Sequence, residues 1–330
     1  MRRIIKRIAQ YFRRKHIWLE VAAGGLLLVL TVLAFRPAWR DMPGAPVTPP
    51  VDPAVESPRR AIDGRATAAG KEYPSLVAVM VENMEEAQPI IGLDRASVVF
   101  ESVMEANITR FMAVFVLDAS DTKGVIGPVR SARPYFLDWT REFDALYAHV
   151  GSSPEADALI KQGGVRDLDQ WFQSQYFWRD TSRPRPHNVY TSLDLLKKAA
   201  DKKEITEIKI NGWKFKDDAG EEKRGNVRRI DVGYADPYRV VWVYDPGRNV
   251  YRREQWGGVH RMADGAGVYP KNIAVAWLPM KVLDEVGRKW FGTIGEGEAV
   301  VFRDGEAIRG VWKKESREGR LRFFDENGTV

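Results

Sequence analysis

No cysteine occurs anywhere in the 330 residues. That absence excludes disulfides, thiolate metal sites, a cysteine nucleophile and lipid attachment through an N-terminal cysteine. Histidine is scarce at four residues, one of them His16 near the start, so a multi-histidine metal centre is not expected. The chain also lacks a G-x-S-x-G elbow, a G-x-x-x-x-G-K-[ST] phosphate loop, a G-x-G-x-x-G turn and an H-E-x-x-H pair. No cofactor is expected. No repeat of 20–50 residues is seen.

A net charge of +6 suggests nucleic acid until the charge is located. Residues 1–16, "MRRIIKRIAQYFRRKH", hold seven Lys/Arg and no acid, so 44 basic residues face 45 acidic ones elsewhere. The basicity belongs to a tail, and nucleic acid is not expected as a partner. Residues 17–35, "IWLEVAAGGLLLVLTVLAF", are apolar apart from Glu20 and Thr31. Nineteen residues of helix span roughly 28 Å, close to a bilayer core. A cleaved signal peptide has the same basic start and apolar centre. The run is long for one, and "AFRPAW" is a poor cleavage site, so an uncleaved single-pass anchor is the expectation. Lys/Arg before the span place the tail in the cytoplasm and the folded part outside. Residues 36–70 open with a spacer in which seven prolines fall between 36 and 60.

Residues 71–204 read as an α/β (α+β) domain with a mixed sheet. Strands are expected at 76–83, 96–103, 108–118, 124–129 and 145–150, with a tight "MEAN" turn making a hairpin of the second and third. Helical spacing appears at 134–143, 154–162 and 191–202, the last capped by Thr191 or Ser192. The strand–helix steps within 124–162 are expected to form a parallel pair. Residues 205–330 alternate apolar and polar positions around Asp-Pro-Gly and Asp-Gly turns, the pattern of a mostly β domain. Trp242, Trp277 and Trp312 sit in its strand runs and are expected in the core. The chain stops after an Asn327-Gly328 turn, which suggests a further strand beyond it.

Three stretches concentrate chemistry. "GPVRSARP" (127–134) places Ser131 where it can cap a helix opened by Pro134, with Arg130 and Arg133 offering guanidinium forks to an anion. "HVGSSPEA" (149–156) repeats the design with His149, Ser152 and Ser153. If the two strands are parallel, both corners open at one sheet edge, where α/β sheets place ligands. Plain capping of two helices is the alternative. "WRDTSRPRPHNVYTS" (178–192) brings Arg179, His187 and Asn188 to a further helix start, as a functional loop or a stiff connection. Glu101 and Glu105, with Arg110 across the hairpin, offer an acid/base pair or a salt bridge, the latter being favoured. Arg110 joins the binding candidates, and His149, His187 and Ser152 are the candidates for catalysis.

The succession "ITRFMAVF", "IGPVRSARPYF", "FDALYAHVGSSPEA", "FWRDTSRPRPHNVYTS", "NIAVAW" and "FRDGEAIRGVWKK" resembles the YerB-like bacterial proteins over about residues 72–328. The resemblance implies an envelope-facing protein with a mixed N-terminal and a β-rich C-terminal domain of unknown function, and no catalytic residues. Such proteins are usually lipidated on a cysteine, for which the apolar helix must substitute here. Their C-terminal domain also runs on past this chain's last residue. Three functions stay open: a tethered module binding an anionic envelope polymer, phospholipid headgroup or peptide carboxylate; an envelope hydrolase or group-transfer enzyme with a histidine base; and a docking partner of another membrane protein.

Overall fold

The computed structural model describes residues 57–117, 124–205, 210 and 212–328. The basic tail, the expected membrane span and most of the spacer lie outside them. No helix among the described residues is long and apolar enough to cross a membrane.

"LVAVMVE" forms β1 (Leu76–Glu82), buried along its whole length. A continuous apolar run is what a strand covered on both faces requires. Antiparallel to it runs β3 (Thr109–Val116), itself paired with β2 (Val98–Val103). The turn between β2 and β3 holds Ala106 and Asn107 at positive φ, as the expected tight connection demands. β4 is Val125–Ile126; β5 (Leu146–His149) and β6 (Arg166–Asp169) continue the sheet parallel to β1, giving the order β2-β3-β1-β5-β6. β7 (Trp178–Arg179) and β8 (Val189–Ser192) complete this half.

The expected parallel pairing of 124–129 with 145–150 is corrected. β4 lies in a separate small sheet, antiparallel to β8, because Gly127 and Pro128 end the strand after two residues. The following stretch crosses the ends of β1 and β5: Val129 bridges Val81, Arg130 N donates to Met80 O, and Ala132 makes a parallel bridge to Ser152.

α1 (Pro134–Arg141) and α2 (Pro154–Lys161) cover one face of the sheet, where Tyr135, Phe136 and Trp139 meet Ala78 and Met80. α3 (Leu193–Lys202), capped by Ser192, covers the other, with Leu193 and Leu196 near Val77 and Val79. Residues 57–70, expected within the spacer, are folded. Arg59 bridges Ala66, Ile62 is fully buried, and Arg60 is paired with Asp63.

The second half contains β9 (Arg229–Val232), β10 (Val240–Asp245), β11 (Val250–Gln255) and β12 (Gly258–Val259) in one antiparallel sheet. β13 (Asn272–Ala276), β16 (Gly295–Arg303), β17 (Glu306–Lys314) and β18 (Arg322–Asp325) form another. β14 (Met280–Val282) and β15 (Lys289–Phe291) make a separate hairpin. Trp242 and Trp312 are buried as expected, whereas Trp277 is exposed, because it follows the end of β13 rather than pointing into the sheet interface.

One apolar core runs through both halves, since Ile230, Val240, Trp242 and Tyr251 join the cluster on the α3 face. Two polar seams add to it. In the first, Arg253 on β11 grips Glu101 on β2 with Nη1 and Nη2, at 2.8 and 2.9 Å. In the second, Glu142 at the end of α1 accepts from Leu321 N at 2.5 Å and lies 3.7 Å from Lys314 Nζ. Beside it the Arg320 guanidinium lies 4.3 and 3.9 Å from the rings of Phe143 and Trp213.

Candidate functional site at the end of the central strand

β1 is apolar until its last residue, Glu82, whose carboxylate is wholly buried. A buried carboxylate needs partners of opposite charge. Register supplies the first, since Arg110 on β3 stands opposite Glu82. The crossing segment supplies Arg130, whose Nε pairs with Glu82. The 178–192 loop supplies His187, whose Nδ1 lies 3.2 Å from Glu82 Oε2. A carboxylate only accepts, so Nδ1 donates and Nε2 is left uncommitted. Burial pushes the Glu82 pKa up, but the His187 hydrogen bond and the charges of Arg110 and Arg130 outweigh it and bring it down to about 2. Burial also pulls Arg110 down to about 10 against the pull of Glu82. Arg110 Nη1 donates to Ser131 O at 2.9 Å, and Arg130 Nη1 to Pro186 O at 3.2 Å.

The two corners predicted to share a sheet edge do adjoin, through the Ala132–Ser152 bridge and a Ser153 N to Ala132 O bond of 3.2 Å. Their chemistry differs from expectation. Ser131 does not cap α1, whose N-cap is Arg133 with no side-chain hydrogen bond to the helix. Arg133 is spent on Glu105, Nε and Nη2 reaching its two oxygens at 2.8 and 3.0 Å. Burial pushes Glu105 up, and the hydrogen bond and charge of Arg133 more than reverse it. Ser153 caps α2 by accepting from Ala156 N at 3.3 Å. The expected salt bridges at Glu101 and Glu105 exist, with Arg253 and Arg133 as partners in place of Arg110.

His149 is closed as a base. Its Nδ1 meets Gly151 O at 2.8 Å and its Nε2 meets Asp167 Oδ1 at 2.6 Å. Neither it nor His187 bonds to Ser152, so no Ser–His pair forms among the described residues. Arg179 Nη1 donates to Asn188 Oδ1 at 2.9 Å, and Asn188 Nδ2 to Asp180 O at 3.3 Å, which ties the loop to itself. Arg183 ties it to the body through Tyr190 Oη and Gln88 O, at 2.5 and 3.0 Å. The loop thus carries His187 on a braced support, and the exposed Arg185, two positions before it, has no partner among the described residues.

Several participants escaped the sequence reading. Asn83 is fully buried and donates through Nδ2 to Thr109 Oγ1 at 2.6 Å and to Glu101 Oε1 and Gln255 Oε1, each at 3.3 Å. Arg253 Nε donates to His260 Nδ1 at 3.0 Å, so His260 carries its proton on Nε2, facing Gln88 Oε1 at 3.2 Å. Burial and the Arg253 charge push His260 down to about 3. Trp171 and Phe172 stand at the tip after β6, with 67 and 84% of their surface exposed. Asp169 holds that turn by accepting from Gly151 N and Trp171 N at 2.9 and 3.1 Å. Gly151 has φ +64°, and a Cβ there would lie 2.9 Å from Trp171 Nε1. The one available sequence signal was the "EN" that closes an otherwise apolar strand. Among the described residues no group of three or more histidines and carboxylates could hold a metal ion.

Residues 64–206 match the N-terminal domain, and 230–330 the C-terminal domain, of a family described as protein of unknown function (DUF3048). The chain belongs to that family. It is 34% identical over 254 residues to "Putative lipoprotein YerB" of Bacillus subtilis, covering 72% of each chain. The crystal structure of YerB from Bacillus subtilis is similar at a TM-score of 0.72 and 30% identity, over 81% of this chain and 90% of that one. The DUF3048 fold is therefore a mixed α/β half followed by a mostly β half, as the resemblance implied.

Proposed function

We propose that this DUF3048 protein is a membrane-anchored, extracytoplasmic binding protein that takes an anionic group of an envelope component at the Glu82 corner. The anchor reading rests on the apolar 17–35 run behind a basic tail, and the name of the Bacillus relative agrees with attachment to a membrane. The observation that carries the ligand reading is a surplus of positive charge. Arg110 and Arg130 face one carboxylate, to which His187 also donates, and Arg185, two positions before His187, is exposed with no partner among the described residues. A phosphate or carboxylate on the ligand completes that balance through charge-assisted hydrogen bonds. Trp171 and Phe172, exposed in the turn after β6, offer ring faces to whatever carries the anion.

Calorimetric titration of the full chain in detergent with glycerol 3-phosphate and with acetyl-D-alanine tests the reading and separates phosphate from carboxylate. Binding of one of them is expected to weaken at least about tenfold in Arg185→Ala plus His187→Ala, as loss of two charge-assisted contacts implies. Equal binding by the double variant, or none by the parent chain, ends it.

A second reading is favoured by one feature alone. His187 is oriented by a buried carboxylate at Nδ1 and open at Nε2, as a general base would be. Release of product from envelope extracts by the parent chain and not by His187→Gln would support it over binding alone.

A further inference from the structure

Seven of the thirteen large apolar residues exposed among the described residues fall within positions 277–294. They are gathered on and around the β14–β15 hairpin, far too densely for scattered surface residues. Trp277 and Trp290 are 54 and 42% exposed, Met280 and Leu283 49 and 47%, and Val282 and Val286 60 and 64%. The hairpin is not loosely held. Phe291 sets its ring edge-on to Tyr135 of α1 at 4.8 Å, Lys289 Nζ donates to Met104 O, and Thr293 Oγ1 donates to Asp138 Oδ2 at 2.6 Å. One side is bolted to the α1 face of the body, and the other is presented to solvent in a fixed shape.

We propose that this hairpin rests on the lipid surface to which the chain is tethered, an inference that depends on residues 17–35 being the anchor. Three observations choose lipid over other occupants. Tryptophans at the base, aliphatic residues at the tip and Lys281 lying 5.4 Å from the Trp290 ring make the mixture that suits a headgroup–acyl boundary. The charges at the tip cancel locally: Arg288 Nη1 lies 2.7 Å from Asp284 Oδ2, leaving Glu285 and Lys281 with opposite signs. Such a tip sits shallowly, with its charges in water.

The third observation is the tether. Residues 36–56 separate the apolar run from the first described residue and include six prolines. At about 3.1 Å per residue the segment reaches at most roughly 65 Å. A body of this size is about 50 Å across. Every face can therefore reach the bilayer, which is present at a permanently high effective concentration. A second copy must instead be met by diffusion, so a patch of modest affinity is filled by lipid first.

The cysteine-free sequence allows a direct test on the full chain. Val286→Cys carries a polarity-sensitive fluorophore in vesicles of phosphatidylcholine and phosphatidylglycerol, and Lys198→Cys on α3, across the sheet from α1, is the control. Val286 emission is expected to shift to the blue and to lose about half its intensity to bilayer nitroxide quenchers, as shallow burial dictates, with the control unmoved. A label shielded from iodide but untouched by lipid quenchers, increasingly so at higher protein density, would assign the surface to a second copy and overturn the proposal. Emission at Val286 as solvated as the control overturns it too. Flotation separates the two readings. A chain that floats with the vesicles while its Val286 label stays solvated defeats the hairpin alone, and one that does not float defeats the anchor and the hairpin together.

Discussion

Two buried arginines, Arg253 and Arg320, join the halves of this protein by opposite means. Arg253 spends its nitrogens on hydrogen bonds to Glu101, Gln255 and His260. Arg320 donates to no acceptor among the described residues and lies against the rings of Phe143 and Trp213, with burial pulling it down to about 10 against the charge of Glu142. Both guanidiniums are compensated, but only the first makes other groups depend on it. Remove Arg253 and the imidazole of His260 loses its donor at Nδ1, while Glu101 and Gln255 keep only the 3.3 Å bonds from Asn83. Remove Arg320 and two rings lose a cation, while Glu142 keeps Leu321 N and Lys314. A buried charge is therefore as costly to delete as the number of partners it strands.

The contrast is sharpest at Arg253→Leu, which should lower stability by about 3–5 kcal/mol, the range for breaking one side of a buried pair. Denaturation midpoints read this directly, and a loss below about 1 kcal/mol would dissolve the distinction. Acid comes next. Glu82 has its folded pKa lowered from 4.5 to about 2, so its contribution is complete above 4.5 and is lost as pH falls towards 2, up to about 3 kcal/mol at 1.36 per unit. His260, held neutral with its pKa lowered from 6.5 to about 3, acts in the same direction over a higher window: its contribution is present above 6.5 and drains away as pH falls through 3. Stability measured against pH should therefore slope downward already below 6.5. Glu82→Gln should flatten only the part below 4.5, whereas His260→Gln should flatten the part between 6.5 and 4.5 and make the slope shallower from there down to 3. Arg320→Leu is expected to cost about 1–2 kcal/mol, since a desolvated cation–π contact is lost and an unbonded charge goes with it. A loss equal to that of Arg253→Leu would show that the rings compensate as strictly as hydrogen bonds do. Ser153→Ala should cost about 1 kcal/mol as a true cap, and Ser131→Ala less than about 0.5 because its side chain caps nothing.

Local patterns carried much of this architecture into view. The apolar run at 76–82, the turn between β2 and β3, the prolines opening α1 and α2 and the caps at Ser153 and Ser192 are all short-range features, and each stands where spacing placed it. The meeting of the two corners was also legible, although a crossing segment makes it rather than a strand of the sheet. What did not show was partnership. Glu101 and Arg253 are 152 positions apart, and nothing local distinguishes Arg253 from Arg252 or Arg110 as its partner. The anion site anticipated at Arg130 and Arg133 contains carboxylates, Glu82 and Glu105, that belong to other elements and neutralise part of it. Trp277 looked like a core residue because alternation continues past Ala276, the last residue of β13, although its ring is exposed there.

Four cations of the second half, among the described residues, end on acceptors of the first: Arg253 on Glu101, Lys289 on the Met104 carbonyl, Lys314 near Glu142 and Arg317 on Asp138. A ribosome delivers the acceptors long before the donors. The nascent first half must therefore wait, with acidic gaps along its flank, until more than a hundred further residues have emerged. A premature stop near the family boundary would leave a product that never closes those gaps and that quality-control proteases should clear, however complete its own sheet.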